Sequence, residues 1–430
     1  MNQQEYAHRK STVKLRVTQG NGLPFAGQTV KVNQTNHEFF FGCGGFDAVE
    51  LAGGKADGTP LSPEEAAAVQ DRLDKIFSIS NYATLPFYLG RYEPEEGKPD
   101  EKRTVAAAKW FADRNITTKG HPLCWHTACA PWLMEYSNKE ILKKVIARIE
   151  RDVGAFKGLI DKWDVINEVV IMPIFDKYDN AITRICKELG RVSLVREVFD
   201  AAYRANSNAA LVLNDFNTSI DYEILVDGCL QAGIPINVIG IQSHQHQGYW
   251  GREKLEEVLD RFSHFGLPLH FTENTLISGD LMPPHIEDLN DWKVGEWPST
   301  PEGEERQARE ITEMYEILFA HPAVGAITTW NGIDGRWLNA PAGLMRKDNS
   351  LKPAYHALKG KIKGEWQTQA EFRTDANGEF SLEGFRGTYE VSAKDMRAVF
   401  VLDGKNEHVN LVMIKASPPA TVPPHGHAKE

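Results

Sequence analysis

The stretches WDVINE (residues 163–168) and HFTE (residues 270–273) are short apolar runs that each end abruptly in a carboxylate, Glu168 and Glu273. An apolar run bounded by polar groups indicates a strand that is buried on both faces, as in a parallel sheet. A carboxylate at the carboxyl end of such a strand lies where closed parallel barrels carry their chemistry. The two glutamates are separated by about three strand–helix units of roughly 30 residues each. We therefore expect them on the fourth and seventh strands of a barrel, facing each other across one mouth.

The chain around these stretches alternates strand and helix patterns at regular intervals, which predicts a parallel sheet with helices outside. Ser62 and Glu65 form a capping signature for the first long helix, and further helices are predicted over 101–115 and 138–157. Eight strands are the number that closes a barrel, so the predicted fold is α/β, a (β/α)8 TIM barrel over residues 38–362. The predicted strands cover residues 37–45, 81–88, 117–126, 163–168, 211–217, 238–246, 270–273 and 324–330.

The two ends of the chain have a different pattern, with short alternating strands and tight turns such as Asn377-Gly378 and Asp403-Gly404. We expect residues 10–37 and 363–415 to join into one small β-sandwich, which resembles carboxypeptidase-regulatory-like modules. The alternative is that the two ends decorate the barrel separately. The proline-rich residues 416–430 are expected to be a flexible tail.

Composition limits the classes of function. Hydrophobic residues make up 42% and charged residues 25% of the chain, as in ordinary globular proteins. The net charge of −11 without a long basic run argues against nucleic acid as a partner, and no apolar stretch approaches the roughly 20 residues that span a bilayer. The N-terminus has no apolar secretory segment, so we expect an intracellular protein or one whose leader was removed. Five cysteines in no disulfide pattern favour a reducing compartment.

Polar side chains gather where the predicted strands end, although packing alone gives no reason for this. Charged groups are costly to bury unless they are paired or used. Two opposed carboxyl groups are the catalytic pair that retaining glycoside hydrolysis requires: one donates a proton and the other attacks the sugar. The other residues at these strand ends are His121, Trp125, His126, Asn167, Asn214, Asp215, Gln242, Ser243, His244 and Trp330.

This set of motifs resembles glycoside hydrolase family 10, the retaining β-1,4-xylanases. The resemblance covers roughly residues 38–360, with the motifs in family order and at family spacing. The matching segments are EPEEG (93–97), GHPLCWH (120–126), WDVINE (163–168), LVLNDFN (211–217), IGIQSH (239–244), FTE (271–273), TTWNGIDGRW (328–337) and LKPAY (351–355).

The resemblance implies a role for each matching residue. Glu168 would be the acid/base and Glu273 the nucleophile, and Asn167 would bond the sugar 2-hydroxyl. His244 would hold the nucleophile ionised and oriented, with Gln242 acting less directly. The remaining predicted substrate-binding residues are His121, Trp125, His126, Trp330, Trp337 and Tyr88.

Several positions depart from the family pattern. Tyr88 and Leu89 stand where the family has Lys and Trp, Leu85 stands at its Asn, and Ala128 at its Gln. Asn274-Thr275 replaces the usual Leu-Asp after the nucleophile. We expect a polysaccharide or oligosaccharide substrate and, first, an endo-β-1,4-xylanase. The alternatives are a family-10-like β-glycosidase with another glycan specificity and a non-catalytic carbohydrate-binding barrel.

Two features remain open to other interpretations. The long segment 274–303 is a candidate lid or binding loop, and its Trp292 and Trp297 either pack within the loop or offer sugar platforms. His121, Cys124, His126 and Cys129 have spacings that a zinc site could use, which would favour a metal-dependent hydrolase. On a strand, however, Cys124 and His126 share one face while His121 points the other way. We therefore expect neither a metal nor a cofactor.

Overall fold

The computed structural model describes residues 5–286 and 289–415. Numbered along the chain, its strands are β1 (Lys10–Thr18), β2 (Thr29–His37), β3 (Phe40–Gly44), β4 (Tyr82–Pro86), β5 (Thr117–His121), β6 (Lys162–Asn167), β7 (Ala210–Asp215), β8 (Val238–Ile241), β9 (His244–Gln245), β10 (Leu269–Leu276), β11 (Val324–Thr329), β12 (Gln369–Arg373), β13 (Glu379–Phe385), β14 (Gly387–Ala393), β15 (Met396–Leu402), β16 (His408–Val412) and β17 (Ile414–Lys415).

The α-helices fall almost entirely between the strands from β3 to β11. Two of the longer ones begin with a complete capping box, Ser62 with Glu65 and Ser137 with Glu140, which satisfies amide groups that the first turn leaves unpaired. The helices are α1 (Asp47–Gly53), α2 (Pro63–Phe77), α3 (Leu89–Tyr92), α4 (Glu101–Ala112), α5 (Asn138–Ala155), α6 (Ala181–Leu189), α7 (Arg191–Ala205), α8 (Ile220–Gln231), α9 (Gly251–Ser263), α10 (Pro301–Ala320) and α11 (Pro353–Gly360).

Eight parallel strands form a closed barrel. Strands β3, β4, β5, β6, β7, β8 and β10 pair in chain order, and β11 closes the ring by pairing with both β10 and β3. The helices surround this sheet, so both of its faces are buried. The predicted (β/α)8 barrel is confirmed, and WDVINE and HFTE lie on its fourth and seventh strands.

One close contact shows why the barrel needs a small residue beside its fourth strand. The indole of Trp163 is fully buried, and a Cβ atom at Gly120 on the neighbouring strand would lie 2.1 Å from that ring. Any larger residue at position 120 would displace the start of WDVINE. Glycine here therefore sets the position of the strand that leads to Glu168.

The second compact unit combines the described residues up to Phe39 with those from Trp366 onward, and the barrel unit runs from Phe40 to Glu365. A three-stranded sheet, β13-β1-β16, and a five-stranded sheet, β12-β2-β14-β15-β17, enclose its core. That core contains Val13, Leu15, Val30, Val32, Leu382, Tyr389 and Val391. The predicted β-sandwich of N- and C-terminal segments is confirmed. Its resemblance to a particular module stays a prediction.

Some boundaries differ from the predicted ones. The third strand ends at His121 and not at 126, because Pro122 has no amide hydrogen to donate to a neighbouring strand. The first strand begins only at Phe40, because residues up to His37 belong to β2 of the sandwich. The predicted tail, 416–430, lies outside the described residues. In the part of the chain that the structure describes, none of the helices combines the length and apolar content needed to cross a membrane.

Candidate active site

Glu168 and Glu273 lie at the same mouth of the barrel. Glu168 is the first residue after β6, and Glu273 lies near the carboxyl end of β10 with only 4% of its surface exposed. The backbone of Glu168 has a φ of 58°, in the left-handed region that a residue with a Cβ rarely adopts. Such strain costs of order 1–3 kcal/mol and is retained mainly at functional positions. Glu168 is one of seven non-glycine residues with a positive φ in the described part of the chain.

A bridge of side-chain amides joins the two carboxylates. Asn214 Nδ2 donates to Glu273 Oε1 at 2.9 Å and to Asn167 Oδ1 at 2.7 Å. Gln242 Nε2 donates to the same Asn167 oxygen at 3.0 Å and to Glu168 Oε1 at 3.2 Å. Gln242 thus reaches the predicted nucleophile indirectly, through Asn167 and Asn214. Because every group in the bridge comes from a barrel strand end, the separation of the two carboxylates is fixed by rigid elements.

Glu273 lies in a setting that favours its charged form. His244 Nε2 lies 3.1 Å from Glu273 Oε2, and His121 Nδ1 lies 3.9 Å from Oε1. Burial acts to raise the pKa of Glu273, but His121, His244 and Lys119 outweigh it and hold the pKa below its usual range. Glu273 is therefore ionised at neutral pH, as a nucleophilic carboxylate must be.

Glu168 lies in the opposite electrostatic situation. Burial raises its pKa to about 8, and the negative charges of Glu273 and Asp215 add to the effect. Hydrogen bonds from Trp125 Nε1, at 2.9 Å, and from Gln242 favour the charged form but are too weak to reverse the shift. Glu168 therefore keeps its proton at neutral pH. One protonated and one ionised carboxyl group in the same mouth can supply an acid and a nucleophile at once.

Aromatic rings line the mouth next to the carboxylates. Tyr88 packs edge-on against His121 with ring centroids 5.5 Å apart, and His121 packs against Trp330 at 5.1 Å. Trp337 stacks face to face on His244, with centroids 4.4 Å apart and an interplanar angle of 13°. Trp125, which bonds Glu168, also contacts the Tyr88 ring at 5.7 Å. The structure thus brings these six predicted binding residues together around the carboxylates.

His126 is placed differently from the other predicted binding residues. It is 1% exposed and lies behind Trp125, with its ring 4.5 Å from that of Phe175. Burial lowers its pKa to about 4, so it is a neutral ring at physiological pH. Its position indicates support of Trp125 and Phe175.

The sequence motifs contain an ion pair that pattern reasoning missed. Lys119 Nζ lies 2.6 Å from Asp164 Oδ2, which also bonds His121 Nδ1 at 2.7 Å. All three side chains are buried at 1% exposure or less. The available signal was the alternation of Lys119 and His121, which puts both on the same face of β5. Phe46, 5.5 Å from Trp330 and 6.1 Å from Tyr88, was missed as well because it follows the first strand outside any motif.

Part of the described seventh loop forms a packed apolar cluster. Trp297 is 5% exposed, donates from Nε1 to the Asp280 carbonyl at 2.7 Å, and lies in an apolar cluster with Ile277 and Met282. Trp292 and Trp337 pack against the same cluster. The two loop tryptophans therefore serve loop packing.

The zinc alternative required several ligands to converge on one point. Among residues 5–286 and 289–415, no group of three or more His, Cys, Asp or Glu side chains is arranged to hold a metal ion. His121 instead bonds Asp164, and Cys124 is a buried free thiol. The four residues considered for zinc thus form no ligand set in the described part of the chain.

A sequence model of Glycosyl hydrolase family 10 matches residues 89–361. The curated relatives include anti-sigma-I factor RsgI6 of Acetivibrio thermocellus, 23% identical over 89% of this chain and 45% of that protein. They also include a beta-1,4-xylanase of Dictyoglomus thermophilum, 29% identical over 53% and 64%. Endo-1,4-beta-xylanase B of Paenibacillus barcinonensis is 31% identical over 57% and 76%. The chain thus spans about half to two thirds of the first two relatives.

Solved structures support the fold. The structure of GH10 from Paenibacillus barcinonensis superposes with a TM-score of 0.60 at 21% identity, covering 76% of this chain and 96% of that one. Xylanase 10B from Thermotoga petrophila, solved in complex with xylobiose, gives a TM-score of 0.59 at 19% identity and covers 76% and 95%. At these identities the likeness establishes the barrel architecture.

Proposed function

Because the chain belongs to glycosyl hydrolase family 10, we propose that it hydrolyses β-glycosidic bonds with retention of anomeric configuration. The observation that carries this proposal is the split protonation of Glu168 and Glu273. The pKa of Glu168 is about 8, whereas that of Glu273 lies below its usual range. A pair of carboxyl groups with identical environments would supply either two acids or two bases, and neither combination serves double displacement.

In the first step the Glu273 carboxylate attacks the anomeric carbon, and Glu168 gives its proton to the departing glycosidic oxygen. The bond to the leaving sugar breaks as the glycosyl–Glu273 ester forms. In the second step Glu168, now a carboxylate, takes a proton from water, and that water displaces Glu273 from the sugar. The loss of negative charge on Glu273 in the ester lowers the pKa of Glu168, which suits its change from acid to base.

The neighbours of these groups have supporting roles in the proposal. Asn167 bonds the sugar 2-hydroxyl, and the Asn214–Gln242 bridge keeps its amide in place. His244 orients Glu273 through their 3.1 Å contact. The remaining substrate-binding residues are His121, Trp125, Trp330, Trp337 and Tyr88, with His126 and Gln242 acting from behind.

We further propose a xylan-type polysaccharide or its oligosaccharides as substrate, cleaved by an endo-β-1,4-xylanase activity. The names of two relatives specify this polymer or activity for those proteins. A second candidate, another β-glycan, is favoured by one observation. A tyrosine hydroxyl is neutral at pH 7. Tyr88, whose ring lies 5.5 Å from that of His121 in the mouth, therefore presents a neutral phenol at the position that the resemblance matches to a Lys of the family. The sugar unit bound next to the one whose glycosidic bond is cleaved would then contact a neutral phenol and not an ammonium group.

The test is hydrolysis of xylan, β-1,4-glucan, β-1,4-mannan and 4-nitrophenyl β-xylobioside, with products identified by mass and their initial anomer by proton NMR. The proposal predicts release of β-anomers from xylan, and loss of nearly all turnover in Glu273→Gln. Glu223→Gln, a matched variant on outer helix α8, is expected to keep full activity.

Different failures have different meanings. Products from glucan or mannan alone would favour the second candidate. Binding of a glycan without any turnover would favour a non-catalytic carbohydrate-binding barrel. α-Anomeric first products would overturn the retaining mechanism itself.

A further inference from the structure

Below the catalytic carboxylates, the barrel interior holds a charged pair that the reaction does not use directly. Lys119 on β5 and Asp164 on β6 are both at most 1% exposed and lie 2.6 Å apart. Burying a lysine and an aspartate costs several kcal/mol per ion unless their mutual attraction and further hydrogen bonds offset it. An apolar pair would fill this space at lower cost, so the charges themselves call for an explanation.

His121 connects this pair to the nucleophile. Its Nδ1 lies 2.7 Å from Asp164 Oδ2 and 3.9 Å from Glu273 Oε1, so one imidazole edge faces two carboxylates. Asp164 gives that edge a strong acceptor, which fixes the ring against Tyr88 and Trp330. The same carboxylate would, however, place a second negative charge close to Glu273. Like charges at such distances disfavour ionisation of one another.

The other groups around the pair do not cancel the charge of Asp164. From β4, the Tyr82 hydroxyl is neutral, as a tyrosine is at neutral pH, and burial raises its pKa further. From β10, burial and the positive charges of Lys119 and Lys162 lower the pKa of His270 to about 3, so it too is neutral. Lys162 Nζ lies over the Phe40 ring, 5.0 Å from its centroid. Among the described residues, Lys119 and the imidazole of His121 are the basic groups in direct contact with Asp164, and the ammonium of Lys119 is the closer of the two at 2.6 Å.

We propose that Lys119 is a positioning residue for the nucleophile: its buried ammonium offsets Asp164, which can then orient His121 without opposing the negative charge of Glu273. This inference rests on the proposed function, in which Glu273 must be ionised. Lys119 touches neither the sugar nor the reacting atoms. It acts on Glu273 through the charge balance of the barrel interior.

The test compares the acidic limb of kcat/KM against pH in two single variants, with 4-nitrophenyl β-xylobioside as substrate. Lys119→Met leaves Asp164 uncompensated, so Glu273 takes up a proton more readily and the limb moves up by about one pH unit. Asp164→Asn removes a negative charge near Glu273, so the limb moves down. Both variants lose a buried partner and both are less stable, yet the two limbs move in opposite directions.

Two further variants separate charge balance from damage to the fold. Lys119→Met/Asp164→Asn restores neutrality, and its limb is expected within about 0.3 pH units of the wild type although the pair is gone. Lys352→Met/Asp334→Asn alters another buried Lys–Asp pair of the barrel and is expected to lower Tm without moving the limb.

The inference would be overturned if the acidic limb of kcat/KM stayed in place in Lys119→Met and Asp164→Asn, or if it moved in the same direction in both. If Lys119→Met does not fold, Asp164→Asn and the double variant still decide the question. A wild-type protein without any hydrolytic activity would overturn the proposed function, and this role of Lys119 with it.

Discussion

Trp125 Nε1 donates a 2.9 Å hydrogen bond to Glu168 Oε2, yet the pKa of Glu168 is about 8. A donor aimed at a carboxylate normally stabilises the charged form and lowers the pKa. Burial of Glu168 and the nearby charge of Glu273 outweigh that bond. The hydrogen bond therefore limits how far the pKa rises, and it keeps Glu168 able to release its proton during the reaction.

Trp125→Phe tests this balance. The variant loses the donor but keeps an aromatic ring. We expect the pKa of Glu168 to rise by roughly one unit, because the free energy of a hydrogen bond to a charged group corresponds to a shift of about that size. The basic limb of kcat/KM, which the pKa of Glu168 places near pH 8 in the wild type if Glu168 is the acid, should move up accordingly. A limb that stays in place or moves down would show that Trp125 does not act on Glu168. Tyr136→Phe, a surface aromatic variant that also loses a hydrogen-bond donor, is the control.

Glu168→Gln is expected to stabilise the protein at high pH. Between an ordinary pKa of about 4.5 and the folded value of about 8, the folded state holds a proton that the unfolded state releases. The free energy of unfolding of the wild type therefore falls by about 1.4 kcal/mol for each pH unit in this window. Glutamine does not titrate, so the gain in Tm should be large at pH 8 and absent near pH 4.

Urea or thermal unfolding at several pH values measures this effect, with Glu223→Gln on outer helix α8 as the control. That variant should show no gain that grows with pH. A Glu168→Gln protein no more stable than the wild type at pH 8 would contradict the assigned ionisation. The gain in stability would be accompanied by a loss of activity, because the variant lacks the general acid.

Asn214→Ala is expected to lower kcat/KM by about 10- to 100-fold, because a hydrogen bond to a charged group contributes roughly 1.5–3 kcal/mol. The variant removes the donor to Glu273 Oε1 and to Asn167, and it leaves the Thr272 hydroxyl without its acceptor at 2.7 Å. Asn206→Ala removes another buried amide, one bonded to Asp161 at the far end of the barrel, and should cost stability alone. Equal kinetic losses in both variants would refute a bridging role.

The ion pair of Lys352 and Asp334, 2.6 Å apart, is expected to behave as one buried unit. Lys352 also donates to Ser278 Oγ at 2.7 Å, which ties the seventh loop to the loop that carries Trp337. Lys352→Met alone leaves a buried carboxylate unpaired and should cost about 3–5 kcal/mol of unfolding free energy. The double variant Lys352→Met/Asp334→Asn should cost clearly less than the sum of the single changes in urea unfolding. Strictly additive losses would show that the two side chains are not coupled.

The barrel and its two glutamates could be predicted because the signal is local. Buried parallel strands give apolar runs, and a carboxylate directly after such a run is expected at the mouth of the barrel. This pattern indicates Glu168 and Glu273, and the alternation and turn residues at the two ends of the chain indicate the sandwich. The predicted roles of acid and nucleophile imply that one glutamate is protonated and the other ionised. The groups that shift each pKa become apparent only in the three-dimensional structure.

Other features could not be predicted, because they depend on pairings between distant segments. Lys119 lies among polar residues in β5 and Asp164 lies next to apolar ones in β6, and nothing in either strand indicates the other residue as its partner. The stack of Trp337 on His244 depends on the path of the eighth loop. The contact of His244 Nδ1 with the Thr275 hydroxyl, at 3.3 Å, shows where the Asn274-Thr275 departure has its effect. Sequence patterns indicate which residues face the mouth, but their partners are set by closure of the barrel.

In the proposed reaction Glu273 attacks the sugar. Incubation with a 2-deoxy-2-fluoro-β-xylobioside bearing a good leaving group slows the second step and allows the glycosyl ester to accumulate. Peptide mapping by mass spectrometry should then find one fluoroxylobiosyl group on the peptide that contains Glu273, and none in Glu273→Gln. Turnover of substrate without any labelled peptide, or a label on another residue, would contradict the account.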